Sequence, residues 1–295
     1  MPSSVSSVVP AAVPVKSENT LDLGILEAPL LVFGGPYSNL QATRALGVEV
    51  QRRGFDPENV ICTGDVVAYC ADAQATVDEV RRISAHVVMG NCEESLGLEQ
   101  DDCGCGFEEG SACDLLSVQW YAKASKALGN EAKAWMRSLP RTITFEMSGR
   151  SFAVIHGGAQ SISKFVFLSD EERVKQEELG VLGVDAVIGG HCGLPFTQRL
   201  ATGVWHNAGV IGMPANDGTP RTWFSTLTPS SEGIRFQHHA LDYDPIPAAR
   251  SMERKGLPEA YAKTLLDGLW PNMDVLPESE RRVRGTPITP NTLLW

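Results

Sequence analysis

Long apolar runs and positive charge are both scarce in this chain. It contains no apolar run of the ~18 residues that a transmembrane helix needs. Lys and Arg number 25 against 36 Asp and Glu, which gives a formal net charge of -11 and a sequence pI of about 5.0. No long basic cluster is present, and such clusters are what bind nucleic-acid backbones and anionic membranes. We therefore expect neither a membrane protein nor one that binds a nucleic-acid polymer.

The N-terminal segment lacks the charged start of a secretory signal. It reads MPSSVSSVVPAAVPVKSENT and is rich in Ser, Val and Pro. On this ground we expect a cytoplasmic protein. The same composition favours a flexible N-terminal arm over residues 1–28 rather than a packed element.

The cysteines do not form the dense, even-numbered framework of a small disulfide-rich domain. There are seven of them: Cys62, Cys70, Cys92, Cys103, Cys105, Cys113 and Cys192. We expect reduced thiols. Cys103, Cys105 and Cys113 could form a structural metal site, although the one-residue spacing of the first two differs from that of common zinc knuckles. The alternative is a flexible Gly-rich loop with incidental or redox-sensitive thiols.

Apolar runs alternate with amphipathic segments along most of the chain, and 43% of the residues are hydrophobic, which is ample for a buried core. NVICTGD and AHVVMGN predict buried strands, whereas NLQATRALGVEVQRRG and DAQATVDEVRRI show helical spacing. TITFEMSGRSFAVIHGG predicts a hairpin that turns at Ser148-Gly149, and RTWFSTLTP and GIRFQHHAL predict antiparallel strands. The pattern indicates an α/β fold with a largely parallel layer.

The predicted motifs place one domain over residues 29–241. Within it, residues 93–117 carry acids, glycines and three cysteines, and we expect an insertion loop there. VQWYAKASKALGNEAKAWMRSLP then predicts a helix that ends at Pro140. Residues 242–295 predict one or two helices and an extended end, packed on the core or on a partner subunit of a homo-oligomer.

Four polar side chains follow apolar runs in short Gly-containing turns: Asp65 in TGDVV, Asn91 in MGNCEE, His156 in VIHGG and His191 in GGHCG. Taken singly, each has an ordinary structural explanation, such as a turn or cap for Asp65 and a core position for either histidine. Together, at strand ends, a carboxylate, an amide and two imidazoles can surround one divalent cation. We predict a metal site built from these four residues.

The order Gly-Asp, Gly-Asn, His-Gly, Gly-His resembles the calcineurin-like metallophosphoesterase family. The resemblance covers roughly residues 29–241 and implies a two-sheet sandwich flanked by helices. It also implies a divalent metal ion, Mn, Fe or Zn, and a small-molecule phosphoester or a nucleotide as substrate. A family label does not select among such substrates.

Two motifs depart from the family pattern. Where the family has Asp-x-His-Gly-Asn, this chain has Gly35-Pro36-Tyr37-Ser38-Asn39, and where the family has Gly-His-x-His, it has Gly190-His191-Cys192-Gly193. The resemblance implies that the three missing ligands belong to one ion of a bimetallic pair, with Asp65 as the usual bridge. We therefore expect one metal ion per chain.

Cys92 and Tyr37 stand at family positions of catalytic importance. The resemblance implies a substrate-contacting histidine at Cys92, for which we consider a packed thiol, a soft metal ligand or a nucleophile of lowered pKa. Tyr37 could bind Fe(III) as a phenolate or donate a hydrogen bond to substrate as a neutral hydroxyl. Cys192 is expected to be structural, with a redox pair to Cys92 as the alternative.

Two residues are candidates for substrate binding. Asn39, together with Ser38, opens a predicted helix whose backbone N–H groups could hold an anion, and plain helix capping is the alternative. Arg221 could neutralise a phosphoryl oxygen, or it could be a surface arginine.

These residues predict a metal-dependent phosphoester hydrolase, a phosphatase or phosphodiesterase, that activates water at a mononuclear site. Because a second cation would be missing, we expect low phosphatase activity. Two other functions stay open. One is a non-phosphatase enzyme at a mononuclear Fe or Zn site that uses Cys92 or Tyr37, and the other is a catalytically silent protein that binds an anion or a nucleotide.

Overall fold

The strands of the protein lie in two sheets of six. A computed structural model describes residues 19–106, 110–290 and 292–295. In the first sheet the spatial order is β1-β5-β6-β7-β9-β8, and in the second it is β12-β11-β10-β2-β3-β4. The strands of the first sheet are β1 (Thr20–Ile25), β5 (Thr142–Met147), β6 (Arg150–Ile155), β7 (Ala186–Gly189), β8 (Phe196–Arg199) and β9 (Val204–Asn207).

The second sheet combines parallel and antiparallel strands, as the sequence predicted. Its strands are β2 (Leu30–Phe33), β3 (Val60–Cys62), β4 (His86–Val87), β10 (Thr222–Ser230), β11 (Gly233–Leu241) and β12 (Thr292–Leu294). The first three are parallel, whereas β10 and β11 form an antiparallel hairpin and β12 pairs with β11 at the edge.

Successive side chains along a strand pack into different cores on the two faces of its sheet. On β2, Leu30 and Val32 pack into a core between the two sheets, together with Phe152 and Ile188 of the first sheet. The intervening residues of β2 pack on the other side, against helices. Successive side chains of a strand point to opposite faces, so the buried run on β2 serves two cores. The predicted two-sheet sandwich flanked by helices is confirmed.

Helices cover the outer faces of the sandwich. They are α1 (Leu40–Arg53), α2 (Ala73–Ile83), α3 (Asn91–Gly97), α4 (Ala112–Ala127), α5 (Asn130–Ser138), α6 (Glu172–Leu182), α7 (Ile246–Arg254), α8 (Glu259–Asp267) and α9 (Glu278–Arg282). The predicted hairpin turn is present, and Ser148 and Gly149 both have positive φ, which matches the twist of a tight two-residue turn. No helix among the described residues has the length and apolarity needed to cross a bilayer.

Three boundaries differ from the sequence expectations. Residues 20–25, predicted as part of a flexible arm, form β1 and pair in parallel with β5 at a sheet edge; residues 1–18 lie outside the described chain. The expected loop 93–117 contains most of α3 and the start of α4, because Asn91 begins a helix directly after its turn. The single helix predicted before Pro140 is divided at Gly129, whose extended backbone caps α5.

Candidate functional site

The four predicted ligands come together where strands of both sheets end. Asp65 follows β3 and Asn91 follows β4, while His156 and His191 follow β6 and β7 of the other sheet. A close backbone approach brings the first two together. Gly64 has φ +97°, and a Cβ at this position would lie 2.8 Å from the backbone nitrogen of Gly90. A larger residue at position 64 would separate the Asp65 and Asn91 turns.

Nε2 of His156 lies at the centre of the cluster. It is 3.0 Å from Oδ1 of Asn91, 3.0 Å from Nδ1 of His191 and 3.3 Å from Oδ2 of Asp65. All four side chains are buried, and their exposed fractions are 9% or less. Within the described part of the chain, Asp65, His156 and His191 form the cluster of acidic and imidazole groups that could hold a metal ion.

Hydrogen bonds behind the cluster fix which atoms face it. Nδ1 of His156 donates to the carbonyl of Thr63 at 2.7 Å, so Nδ1 carries a proton and Nε2 is the ring nitrogen that faces the cluster. Nδ2 of Asn91 donates to the carbonyl of Cys103 at 2.9 Å, so its Oδ1 faces the others. Four potential ligand atoms thus converge at hydrogen-bonding distance. A divalent cation fits this donor set, because oxygen and imidazole nitrogen suit Mn, Fe and Zn.

Electrostatics keep Asp65 and His191 in states that suit metal binding, and they stabilise a positive charge on His156 that a bound metal ion would replace. Burial opposes charge on Asp65, but His156 outweighs it and lowers the carboxyl pKa, so Asp65 is anionic. Burial and the neighbouring His156 lower the pKa of His191 to about 3, so its imidazole is neutral near pH 7. Burial also disfavours charge on His156, but Asp65 and the Thr63 carbonyl raise its pKa above the ordinary value. An anionic carboxylate beside imidazoles is the arrangement that attracts a cation.

Glu93 is a buried support that the sequence analysis missed. Its Oε2 accepts from the backbone N–H of Asp65 at 2.7 Å and of Gly90 at 3.0 Å, and its Oε1 accepts from Val66 at 2.8 Å. The side chain is fully buried, and burial together with Asp65 raises its pKa to about 7. The signal was present in the sequence, since an acid two residues after Asn91 falls at the third position of α3, where it can cap the helix. Glu93 ties the Asp65 turn to the Asn91 turn.

Tyr37 fills the space beside the cluster where the resemblance implied a second ion. A Cβ at Gly35 would lie 2.5 Å from Cζ of Tyr37 and 2.5 Å from Cγ1 of Val210. A Cβ at Gly193 would lie 3.8 Å from the Tyr37 hydroxyl. A longer side chain at position 35 would therefore collide with the tyrosine ring. Burial and Asp65 raise the pKa of Tyr37 well above its ordinary value, which favours a protonated phenol near neutral pH.

The position of Cys92 does not support a catalytic thiol. The side chain is 1% exposed and does not line the cavity beside the cluster. Its backbone N–H donates to Oδ1 of Asp65 at 3.2 Å, and its sulfur accepts from Nδ2 of Asn91 at 3.5 Å. Burial and Asp65 raise the thiol pKa well above the ordinary value. A packed thiol, one of the three predicted possibilities, agrees with this environment.

The expectation of reduced thiols is wrong for two cysteines. Cys103 and Cys105 form a disulfide, which also removes them from a structural metal site. Cys105 lines the cavity next to the cluster. Cys92 and Cys192 are both free and therefore do not form the alternative redox pair. The side chain of Cys113 lies outside the described part of the structure.

Asn39 and its neighbour are engaged in helix capping rather than exposed to substrate. Oδ1 of Asn39 accepts from the N–H of Ala42, and its Nδ2 donates to the carbonyl of Gly212 and to the hydroxyl of Tyr243. The backbone N–H groups of Ser38 and Asn39 donate to carbonyls within the fold. No donor of Asn39 is left for an anion, so the substrate-binding prediction gives way to the capping alternative.

Arg221 fastens the C-terminal segment instead of lining the site. Its guanidinium pairs with Asp217 at 3.2 Å, donates to the carbonyl of Ile288 at 2.5 Å and lies over the ring of Trp223. It is not among the residues that line the cavity beside the cluster. The predicted phosphate contact therefore has no geometric support.

Replacing Arg221 with alanine is expected to lower stability without changing catalytic efficiency. The lost hydrogen bonds to Asp217 and Ile288 correspond to a decrease of about 1–3 kcal/mol in the free energy of unfolding. Urea denaturation measures the loss, and the exposed Arg235→Ala is the matched control. A large fall in kcat/KM at unchanged stability would instead place Arg221 at the substrate.

A mainly apolar cavity opens beside Asp65 and His191. The space that a water-sized molecule can enter is small, about 80 Å³, and the rest of the cavity is open to solvent at its mouth. Part of its wall comes from the C-terminal segment, through Tyr261 and Thr264 of α8 and through Trp270. The sequence analysis expected this segment to pack on the core or on a partner and did not assign it to the site.

Comparisons with known proteins agree with this architecture. The sequence profile of the calcineurin-like phosphoesterase superfamily domain matches residues 38–229. An uncharacterized protein of Methanocaldococcus jannaschii is 22% identical over 257 residues, which cover 83% of this chain and 100% of the relative.

Two solved structures share the fold. A metallophosphoesterase from Sphaerobacter thermophilus is 19% identical with a TM-score of 0.64, over 83% of this chain and 100% of that one. A hypothetical protein from Pyrococcus horikoshii OT3 is 15% identical with a TM-score of 0.68, over 82% and 99%. The two-sheet architecture and the profile match together show that this chain belongs to the calcineurin-like phosphoesterase superfamily, whose members depend on divalent metal ions.

Proposed function

We propose that this protein hydrolyses a small-molecule phosphoester or a nucleotide at a site that holds one divalent cation. The observation that carries the proposal is the convergence of Asn91 Oδ1, His191 Nδ1 and Asp65 Oδ2 within 3.0–3.3 Å of His156 Nε2. Because Nδ1 of His156 is committed to the Thr63 carbonyl, these four atoms face one another, and a divalent cation can replace a proton on Nε2 as their shared positive charge. Membership in the superfamily supports phosphoester hydrolysis as the general reaction class.

A divalent cation held by these four residues would supply positive charge to a phosphoryl group and would acidify bound water. The chain supplies the remaining functions. Thr63 and Cys103 orient His156 and Asn91 through their carbonyls, and Glu93 holds the turns. The protonated hydroxyl of Tyr37 lies at the cavity wall, where it can donate a hydrogen bond to a phosphoryl oxygen.

The place of the Tyr37 ring supports one cation per chain rather than two. The ring and Val210 occupy the volume into which a side chain at position 35 would extend, and glycine at position 193 offers no ligand atom. With less positive charge opposite the transition state, turnover of phosphoesters is slower than at a bimetallic centre. A catalytically silent anion-binding protein is the second candidate, and it is favoured by the same loss of ligands.

Metal analysis and turnover on the same preparation test this proposal. We expect close to one Mn, Fe or Zn per chain and slow hydrolysis of an aryl phosphoester, which a chelator abolishes and the returned cation restores. Loading with increasing cation tests the stoichiometry, and activity should saturate at the first equivalent. Cation binding without any hydrolysis would favour the silent anion-binding protein, and two tightly held ions would overturn the mononuclear site.

A further inference from the structure

Several aromatic rings line the cavity beside the ligand cluster. Tyr37, Tyr69 and Tyr261 line it and contact one another, with ring centroids 4.8 Å and 4.9 Å apart for the pairs that share Tyr69. Phe165 also lines it and lies 4.2 Å, centroid to centroid, from the imidazole of His191. Flat apolar surfaces thus begin directly at a metal ligand and continue away from it.

Trp270 completes this wall and is held firmly. Its indole N–H donates to the carbonyl of Pro214 at 2.7 Å, and its backbone N–H donates to Oδ1 of Asn216 at 2.8 Å. The side chain is only partly buried, so a face is left for contact with a ligand. A preorganised aromatic surface loses little entropy when a planar group stacks on it.

Cationic side chains are missing from the wall. Among the described residues that line the cavity, none is Lys or Arg. Arg221 is committed to Asp217, and Lys164, near the mouth residue Phe165, pairs with Glu178 at 2.5 Å. A divalent cation together with the Asp65 carboxylate sums to a charge of about +1. That charge matches a phosphodiester, which carries one negative charge, whereas a monoester carries about -1.5 to -2 near neutral pH.

Resting on the proposed function, we propose that this site selects phosphodiesters that carry a planar aromatic group over phosphomonoesters. The phosphate lies against Asp65 and His191, and the aromatic substituent stacks along the wall made by Tyr69, Phe165 and Trp270. A monoester brings a second negative charge, for which the wall offers no guanidinium or ammonium partner. A diester with small alkyl groups satisfies the charge but leaves the aromatic wall empty.

Calorimetric binding of three probes tests the proposal without relying on turnover. Diphenyl phosphate, dimethyl phosphate and phenyl phosphate separate the contribution of the ring from that of the charge. With the cation-loaded protein, we expect diphenyl phosphate to bind at least about tenfold more tightly than either of the others, as stacking on aromatic side chains implies. After chelation, the preference for diphenyl over dimethyl phosphate should persist, because the rings belong to the chain. Phenyl phosphate that binds as tightly as diphenyl phosphate would overturn the proposal.

Turnover of bis(4-nitrophenyl) phosphate and 4-nitrophenyl phosphate by wall variants adds a second test. Trp270→Leu is expected to lower kcat/KM for the diester about tenfold and for the monoester no more than about twofold. Phe165→Leu provides the same comparison if Trp270→Leu fails to fold, and Trp135→Leu, outside the cavity lining, is the matched control. Equal losses for both esters would contradict the selectivity.

The two proposals fail in different ways. If the loaded protein hydrolyses neither ester but still binds diphenyl phosphate most tightly, the proposed hydrolysis is wrong and the binding preference stands. If both esters are hydrolysed with no effect of the wall variants on their ratio, hydrolysis stands and the selectivity is wrong.

Discussion

Replacing His156 with alanine is expected to remove the bound cation and, with it, phosphoester hydrolysis. Its Nε2 lies within 3.0–3.3 Å of the other three ligand atoms, so the substitution deletes the central donor. Loss of an outer partner of a ligand costs about 10–100-fold in metal affinity, and loss of the ligand itself should exceed the upper value. Metal content per chain after gel filtration, with kcat/KM on the same sample, measures both effects.

The control for this variant is a partly buried histidine outside the cluster. His239 on β11 contacts Arg53 at the end of α1 and Thr226 on β10. His239→Ala should retain the cation and the activity. Unchanged metal content in the His156 variant would refute the ligand set, whereas a loss in both variants would indicate a general folding defect.

Replacing Glu93 with alanine is expected to cause the largest loss of stability. Three backbone N–H groups, those of Asp65, Val66 and Gly90, donate to its carboxylate in the interior. Each buried donor that loses its partner costs about 1–3 kcal/mol, so a decrease of at least ~3 kcal/mol in the free energy of unfolding is expected. Because two of these donors belong to the turns that carry Asp65 and Asn91, cation affinity should fall as well. Chemical denaturation and metal titration measure the two effects.

A conservative and a distant variant separate the causes. Glu93→Gln keeps one acceptor oxygen but places an amide N–H₂ against donors, so it should recover only part of the stability. Glu131→Ala removes an 84% exposed carboxylate paired with Arg81 and should change stability by about 0–1 kcal/mol. A Glu93→Ala protein as stable as wild type would show that water can replace the carboxylate.

The parts of the fold that sequence reasoning predicted are those with local signals. Apolar runs that end in Gly-Asp, Gly-Asn or His-Gly mark β3, β4 and β6, and the parallel edge then brings their ends together. The clustering of the four candidate ligands was predicted in this way, because their positions depend on the strand ends and not on distant packing. The arm was misassigned because β1 gains its partner from β5, with Thr20 opposite Thr142, 122 residues further along the chain.

Side chains whose roles depend on distant partners were not predictable. The residues around Arg221 in the sequence do not indicate that the carbonyl of Ile288 accepts a hydrogen bond from its guanidinium. Likewise, the residues around Asn39 do not indicate that the hydroxyl of Tyr243 accepts a hydrogen bond from its side-chain amide. The Cys103–Cys105 disulfide was not predictable although its partners are close in sequence. A one-residue spacing is compatible with free thiols as well as with a disulfide. The aromatic wall was missed because Trp270 reaches the cavity only through the tertiary placement of the tail.

Part of the aromatic wall is encoded outside the segment that supplies the candidate cation ligands. Asp65, Asn91, His156 and His191 all fall within the family match of residues 38–229, whereas Tyr261 and Trp270 lie beyond it. Under the proposed function, substitutions in the C-terminal segment can therefore alter which ester is accepted without touching the four candidate ligands.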